Sequence, residues 1–398
     1  MPAHTGLATP SHSPPFCFAR GAALATARSL SKPPKEINKM TLDKAYFSGL
    51  TSYITRLKEA KKPIFIYGMG DGCLKVMRIF EEYKIACAGI FASDEFVRDK
   101  IFCGHRIHKL SEIEEAVDDF IVVLAFGAGY SELIEKIERL SLRHELIVPD
   151  MPVIGDGLFT KEYMLENFDK LDKVYSLLVD EKSKEVYKAV IEFKITGNIE
   201  CLKRVHTAPK EAYENIIRPS DSEVFVDLGA YTGDTVSEFI GITDKKYSHI
   251  YACEPNKRNF RKLKENTDGL ENVTLVNAAA WDSDTTLIFS KGGGRMPHLA
   301  KEGIETAAVS VDSMLSGGEC TYIKYDVEGA EREALLGSSQ TVKKYAPKLN
   351  VALYHRVGDI FELALLVNSL CPEYKLYIRH FPYYPAWDTN LYAVCNSL

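Results

Sequence analysis

The stretch EVFVDLGAYTGDT, residues 223–235, decides the fold. Val224–Leu228 is a short apolar run rich in valine, and it reads as a buried strand. Asp227 stands near its end. Gly229 and Gly233 then allow a tight turn and a close backbone approach, and a helix starts after them. Strand, glycine turn and helix open a parallel sheet of the kind that binds ligands at the carboxyl ends of its strands. An aspartate there suits the ammonium of a bound amino-acid moiety. A pyrophosphate would favour a turn free of carboxylates at the helix N-terminus.

Working outward, further strands read at His249–Cys253, Val273–Asn277, Tyr322–Asp326, Asn350–Tyr354, Lys375–Arg379 and Leu391–Cys395. Helical patterns separate the first five. The last two are expected to pair as an antiparallel hairpin at the sheet edge. A smaller unit of the same kind precedes this one. PIFIYGMGDG (63–72) is strand and glycine turn, Ala86–Phe91 and FIVVLAF (120–126) are strands, and ELIVP (145–149) closes the unit. Strands alternating with helices imply right-handed crossovers and a second Rossmann-like α/β sheet. One helix is expected over 43–60. Residues 155–215 carry apolar residues at helical spacing, with charges on a solvated face.

The fold class is therefore α/β: a C-terminal seven-stranded doubly wound sheet (219–398), a small N-terminal Rossmann-like domain (40–150) and a helical connector (151–218). Residues 1–39 are rich in Ala, Ser and Pro, and the first acidic residue is Glu36. Such a stretch buries too little apolar surface to fold alone, so it is expected to be a disordered extension. It has the composition of an organellar transit peptide, but an upstream start codon with the protein beginning near Met40 is the preferred reading.

Lys plus Arg number 49 and Asp plus Glu 55, a net charge of −6, which argues against a nucleic-acid partner. No apolar run reaches the length of a membrane span. Nine scattered cysteines with no C-x-x-C pair read as reduced thiols, which points to a cytoplasmic protein.

Two further motifs face the same crevice. In IYACEPN (250–256), Glu254 ends the second strand of the C-terminal sheet, where an acid can accept hydrogen bonds from both ribose hydroxyls. Pro255 and Asn256 shape the turn beneath an adenosine. In YIKYDVEGAEREALLGS (322–338), Asp326 ends the fourth strand, and Glu328 and Glu331 follow it. Carboxylates at a helix N-terminus are favoured by the macrodipole, so part of this cluster is structural. Functionally, one of them would orient a substrate hydroxyl or take its proton.

VFVDLGAYTG, CEPN, VSVDSML, IKYDVEGAE, LLGS and the late Tyr354-His355 together resemble the FkbM-type methyltransferases, in order, over about 222–395. IKYDVEGAE (323–331) is the most specific part. The resemblance implies a class I methyltransferase sheet and S-adenosyl-L-methionine as cofactor. It also implies transfer of a methyl group to a hydroxyl of a sugar, glycan or secondary metabolite. Asp227, Gly229, Ala230, Tyr231, Gly233, Asp234, Glu254, Pro255, Asn256 and Ala279 are then the expected cofactor residues. Asp326, Glu328 and His355 are the expected catalytic ones, Asp326 or Glu328 first. His355 reads equally as a structural histidine, because LYHRVGD (353–359) lacks the acid that often precedes this histidine in related sequences. No metal is expected, although Asp326 and its neighbours suit Mg²⁺ as hard oxygen ligands. Asp312 reads as structural. KGGGRMPHL (291–299) is expected to face the acceptor, a small molecule or carbohydrate.

The remaining signals are weaker. YGMGDG is G-x-G-x-G, and its glycines serve a tight turn as readily as a ligand, with Asp94 placed to touch a ribose. Tyr374, Tyr377, His380, Phe381, Tyr383, Tyr384 and Trp387 suit carbohydrate stacking, yet read more simply as hairpin packing. Three rivals stay open: a nucleotide-dependent sugar-nucleotide enzyme or oxidoreductase run by the N-terminal unit, a non-catalytic cofactor-binding module, and N- in place of O-methylation. The first lacks a Tyr-x-x-x-Lys after Phe126.

Overall fold

The computed structural model describes residues 41–97, 101–289 and 303–395. The extension 1–39 and the loop 291–299 lie outside the described residues. Met40–Leu398 forms one compact unit.

The N-terminal sheet contains β1 (Ile64–Tyr67), β2 (Gly89–Ala92), β3 (Ile101–Phe102), β4 (His105–Lys109), β5 (Ile121–Leu124) and β6 (Glu145–Ile147), in the order β3-β4-β2-β1-β5-β6. β1, β2, β5 and β6 were legible as apolar runs. β1, β2 and β5 are buried throughout, as strands covered on both faces must be. The hairpin β3–β4 was not legible. It falls in what reads as a polar connection, and its burial is slight outside Ile107. The helix expected over 43–60 is two helices, Lys44–Gly49 and Tyr53–Glu59. Ser52 breaks them, because its side chain caps the second by accepting from Thr55 N.

The C-terminal sheet contains β7 (Val224–Leu228), β8 (His249–Cys253) and β9 (Val273–Val276). A small three-stranded sheet follows: β10 (Ala279–Ala280), β11 (Thr285–Phe289) and β12 (Ile304–Val309). The main sheet then resumes with β13 (Tyr322–Tyr325), β14 (Lys348–Ala352), β15 (Lys375–His380) and β16 (Thr389–Val394). Its order is β15-β16-β14-β13-β7-β8-β9, parallel except for β16, which runs antiparallel between β14 and β15. All seven expected strands are present. The small sheet was not legible, because β11 and β12 are largely exposed and carry no core pattern.

Of the helices Lys161–Glu166, Phe168–Leu177, Glu181–Thr196 and Ile199–Lys203, the third packs against β15 of the C-terminal hairpin and the second against the helix Asp359–Leu370. Val179 N donates to Leu376 O at 3.1 Å, and Ile378 N to Ser183 Oγ at 2.9 Å. These bonds cover edge strand β15, which would otherwise be free to pair with another chain. The charges here are only partly a solvated face. Lys194 and Asp150 form a buried ion pair at 2.5 Å. Arg379, also buried, holds Asp180 at 2.7 Å and Glu211 at 2.9 Å. One apolar core runs from Leu124 and Phe120 through Val190 and Phe193 to Val226, Ile323 and Leu376.

Candidate active site

The turn after β7 is built by close approach. Gly229 has φ +85°, and a Cβ there would lie 1.9 Å from the carbonyl oxygen of Asp326. Gly229 and Ala230 donate to Cys253 O, both at 3.0 Å, which ties the turn to the end of β8. Tyr231, at φ +46° and 55% exposed, stands at the crest. Gly233 closes the turn, and Asp234 begins the helix Asp234–Ile242.

Asp227 is fully buried, and neither of its carboxylate oxygens has a hydrogen-bond partner. Lys324 on neighbouring β13, directly opposite in register, brings Nζ to 3.7 Å from Oδ1. Burial pushes the Asp227 carboxyl up to about 6, against the pull of Lys324. Leaving a buried carboxylate without donors is costly, and such groups commonly mark a place where a ligand completes the set.

Glu254 is buried at the end of β8. It accepts from Tyr231 N at 3.1 Å and from Asn256 N at 2.8 Å. Burial raises its carboxyl, and these backbone bonds oppose the rise. Pro255 is half-buried, and Asn256 caps the helix Lys257–Asn266. Just beyond β9, Asn277 Nδ2 donates to the carbonyl of Glu254 at 2.8 Å. Ala279 opens β10, buried and paired with Ala308.

Asp326 lies just past the end of β13. Lys324 Nζ is 3.3 Å from Oδ2, and the Tyr354 hydroxyl donates to Oδ1 at 3.1 Å. Burial would raise this carboxyl, but Lys324 and His355 outweigh it and hold it below the usual range. Glu328 follows at φ +56° with its side chain 54% exposed. Glu331, buried at the start of the helix Glu331–Leu336, accepts from Val327 N at 2.9 Å and Gly329 N at 3.3 Å.

His355 is buried between these carboxylates. Nδ1 faces Glu331 Oε1 at 2.9 Å, while Nε2 faces Glu328 Oε2 at 3.2 Å and Asp326 Oδ1 at 3.6 Å. Burial opposes its charge, but Glu331, Glu328 and Asp326 outweigh burial and raise the ring well above its ordinary value. The three carboxylates thus favour the protonated ring. Asp326, Glu331 and His355 each bring one donor atom within 4.8 Å of the others, spacing that could suit a cation. The ring stands between the two carboxylates, however, with one nitrogen turned to each, and Glu331 Oε1 is already taken by two backbone N–H groups.

The fold thus gathers Asp227, Glu254 and the glycine turn with Asp326, Glu328 and His355 at the carboxyl ends of four adjacent strands. Sequence reasoning missed Lys324, Tyr354 and Asp388. Burial pushes Asp388 up to about 6, and the negative charge of Asp326 adds to the rise. A lysine inside the apolar strand YIKY was the one available signal. Asp312 is structural as expected, accepting from Gln340 N at 3.0 Å and Thr341 N at 2.8 Å.

Gly68 and Gly72 serve packing, whereas Gly70 faces open space. A Cβ at Gly68 would strike the Phe126 ring at 2.5 Å, and one at Gly72 would lie 2.0 Å from Ala125 O. Asp94 accepts from Leu110 N and Ser111 Oγ, both at 3.1 Å, so its carboxylate serves the start of the next helix. The late aromatics pack as a hairpin plug. Trp387 and Tyr383 fill the space over Gly127 and Gly129, and Tyr384 pairs with Ala128.

The family model described as methyltransferase FkbM domain matches residues 227–383. No curated protein sequence matches the chain. Among solved structures, methyltransferase FkbM from Methylobacillus flagellatus KT is similar with a TM-score of 0.63 and 20% identity, over 90% of this chain and 95% of that one. That coverage takes in the N-terminal sheet. An rRNA methylase from Streptococcus thermophilus is similar over 45% of this chain and 89% of its own, with 11% identity and a TM-score of 0.32. Fibrillarin from Aeropyrum pernix, in complex with natively bound S-adenosyl-L-methionine, is similar over 44% and 68%, with 12% identity and a TM-score of 0.30. The matched span opens on Asp227 and encloses Glu254, Asp326, Glu328 and His355, so the residues gathered at this crevice all lie within the match to the FkbM methyltransferase domain.

Proposed function

We propose that this domain moves a methyl group from S-adenosyl-L-methionine to a hydroxyl of a sugar, glycan or secondary metabolite. Asp227 carries the cofactor part of the reading: a fully buried carboxylate with no donor on either oxygen. Lys324 Nζ stands 3.7 Å away, beyond hydrogen-bond reach, and the ammonium of the cofactor's amino-acid end would complete the set. Glu254 fits the ribose hydroxyls, and its own backbone donors already fix its orientation. Gly229, Ala230, Tyr231, Gly233 and Asp234 shape the turn around the amino-acid end. Pro255, Asn256 and Ala279 border the adenosine. The cofactor supplies a methyl group already activated on a sulfonium, so the protein's task is to place the acceptor, exclude water and manage one proton.

Glu328 is the group we assign to that proton. It is the exposed carboxylate of the cluster, and its negative charge reaches Glu254. The His355 ring, with Nε2 3.2 Å from Glu328 Oε2, orients it, while Asp326 is fixed by Lys324 and Tyr354 and shapes the acceptor side. Free cysteines at eight described positions fit a reducing compartment, the cytoplasm. Incubation with S-adenosylmethionine labelled at the methyl group and a panel of oligosaccharides, sugar nucleotides and hydroxylated small molecules tests the reading. Label recovered on an acceptor oxygen supports it. Label recovered only on nitrogen overturns the hydroxyl assignment.

A further inference from the structure

The N-terminal sheet packs Gly68 and Gly72 against Phe126 and Ala125, and the unit also reaches the methyltransferase site. The segment between β6 and Lys161 leaves the sheet at Asp150 and runs to the catalytic turns. Lys75, on the helix Asp71–Tyr83, donates from Nζ to the carbonyls of Pro152 and Val153, at 3.1 Å each. Trp387 Nε1 donates to Met151 O at 3.3 Å. Ile154, which follows Val153, meets both catalytic turns at once. Its N–H donates to His355 O at 2.9 Å, and its side chain lies 3.1 Å from where a Cβ on Gly329 would stand. Arg356 Nε donates to Gly329 O at 2.7 Å, which closes the contact from the other side.

We infer that Ile154 is a positioning residue for Glu328 and His355, with Lys75 as its anchor in the N-terminal sheet. This rests on the assignment of the 326–331 turn to the acceptor side. Glu328, at φ +56° beside Gly329 at +92°, holds a conformation that costs a non-glycine residue free energy and persists only when its surroundings hold it. Ile154 fills the one face of Gly329 that has no side chain of its own. The N-terminal unit then contributes to catalysis as a brace rather than through a ligand of its own.

The test uses the full chain with Ile154→Ala, Ile154→Val and Lys75→Met. Hydrogen exchange of the peptide spanning 326–331, which holds the Val327 and Gly329 amides bonded to Glu331, reads the position of the turn. Exchange about tenfold faster is expected in Ile154→Ala and Lys75→Met, with Ile154→Val close to wild type and residues 249–253 unchanged in all three. On any panel acceptor that the wild type methylates, kcat should fall about tenfold, with KM for S-adenosylmethionine within twofold. Lys75 is partly exposed, so its variant is informative even if Ile154→Ala fails to fold. Exchange within twofold of wild type in both would overturn the inference. Failure of the wild type to bind S-adenosylhomocysteine would instead overturn the methyltransferase reading and leave the exchange result standing.

Discussion

The backbone N–H of Tyr231 donates to Glu254 Oε2 at 3.1 Å, so the acid at the end of β8 holds the turn that follows β7. The second oxygen takes Asn256 N. Glu254 therefore shapes its crevice before any cofactor arrives. Glu254→Ala should cost about 1 kcal/mol of stability without ligand, since two N–H groups lose their acceptor. Urea unfolding measures this, and an unchanged midpoint would count against it.

Asp227 ties cofactor affinity to pH. Its folded-state carboxyl lies at about 6, raised by burial. An ammonium binds the ionised form. Affinity for S-adenosylhomocysteine should therefore be full above pH 7 and decline as pH falls through about 6, roughly tenfold per unit below that. Asp227→Asn should bind more weakly and lose this dependence. Calorimetric titration between pH 5 and 8 checks both.

Glu328 and Asp326 separate by role. Glu328→Gln should lower kcat by roughly 10²- to 10⁴-fold, the usual contribution of a general base, and spare S-adenosylhomocysteine affinity. Asp326→Asn should also spare binding and lose turnover, because the neutral amide no longer forms an ion pair with Lys324. Equal turnover by Glu328→Gln and wild type on a labelled acceptor would remove Glu328 as the proton acceptor.

The Asp150–Lys194 pair lies where the brace leaves the N-terminal sheet, and both side chains are buried. Asp150→Ala leaves an unpaired buried ammonium and should destabilise by about 3–5 kcal/mol. Asp150→Asn with Lys194→Met should cost less than the single change. Chemical denaturation of the three proteins tests the ordering.

Much of this architecture was legible in the sequence, for physical reasons. β7, β13 and β14 are covered on both faces, and their apolar runs say so. Asp227 and Glu254 end such runs, which is why the crevice could be located. β3, β4, β11 and β12 carry little burial and left no pattern. Ile154 and Lys75 lie far in sequence from Gly329 and His355. Nothing local in PVIGDG marks a residue whose partners are set by tertiary packing. Lys324 was hidden differently, as one polar residue in a strand whose neighbours dominate the reading. The setting of His355 depends on three carboxylates brought together by the turns after β13 and β14, which are distant from it in the local pattern.

Calorimetric titration of the protein with S-adenosylhomocysteine, NAD and NADP, repeated for Asp227→Ala and Glu254→Ala, tests the central assignment most directly. S-adenosylhomocysteine alone should bind the wild type, and each variant should weaken it by about 10- to 100-fold, the loss expected for a charged hydrogen bond. Wild-type affinity in both variants, or binding of a dinucleotide alone, would contradict the assignment.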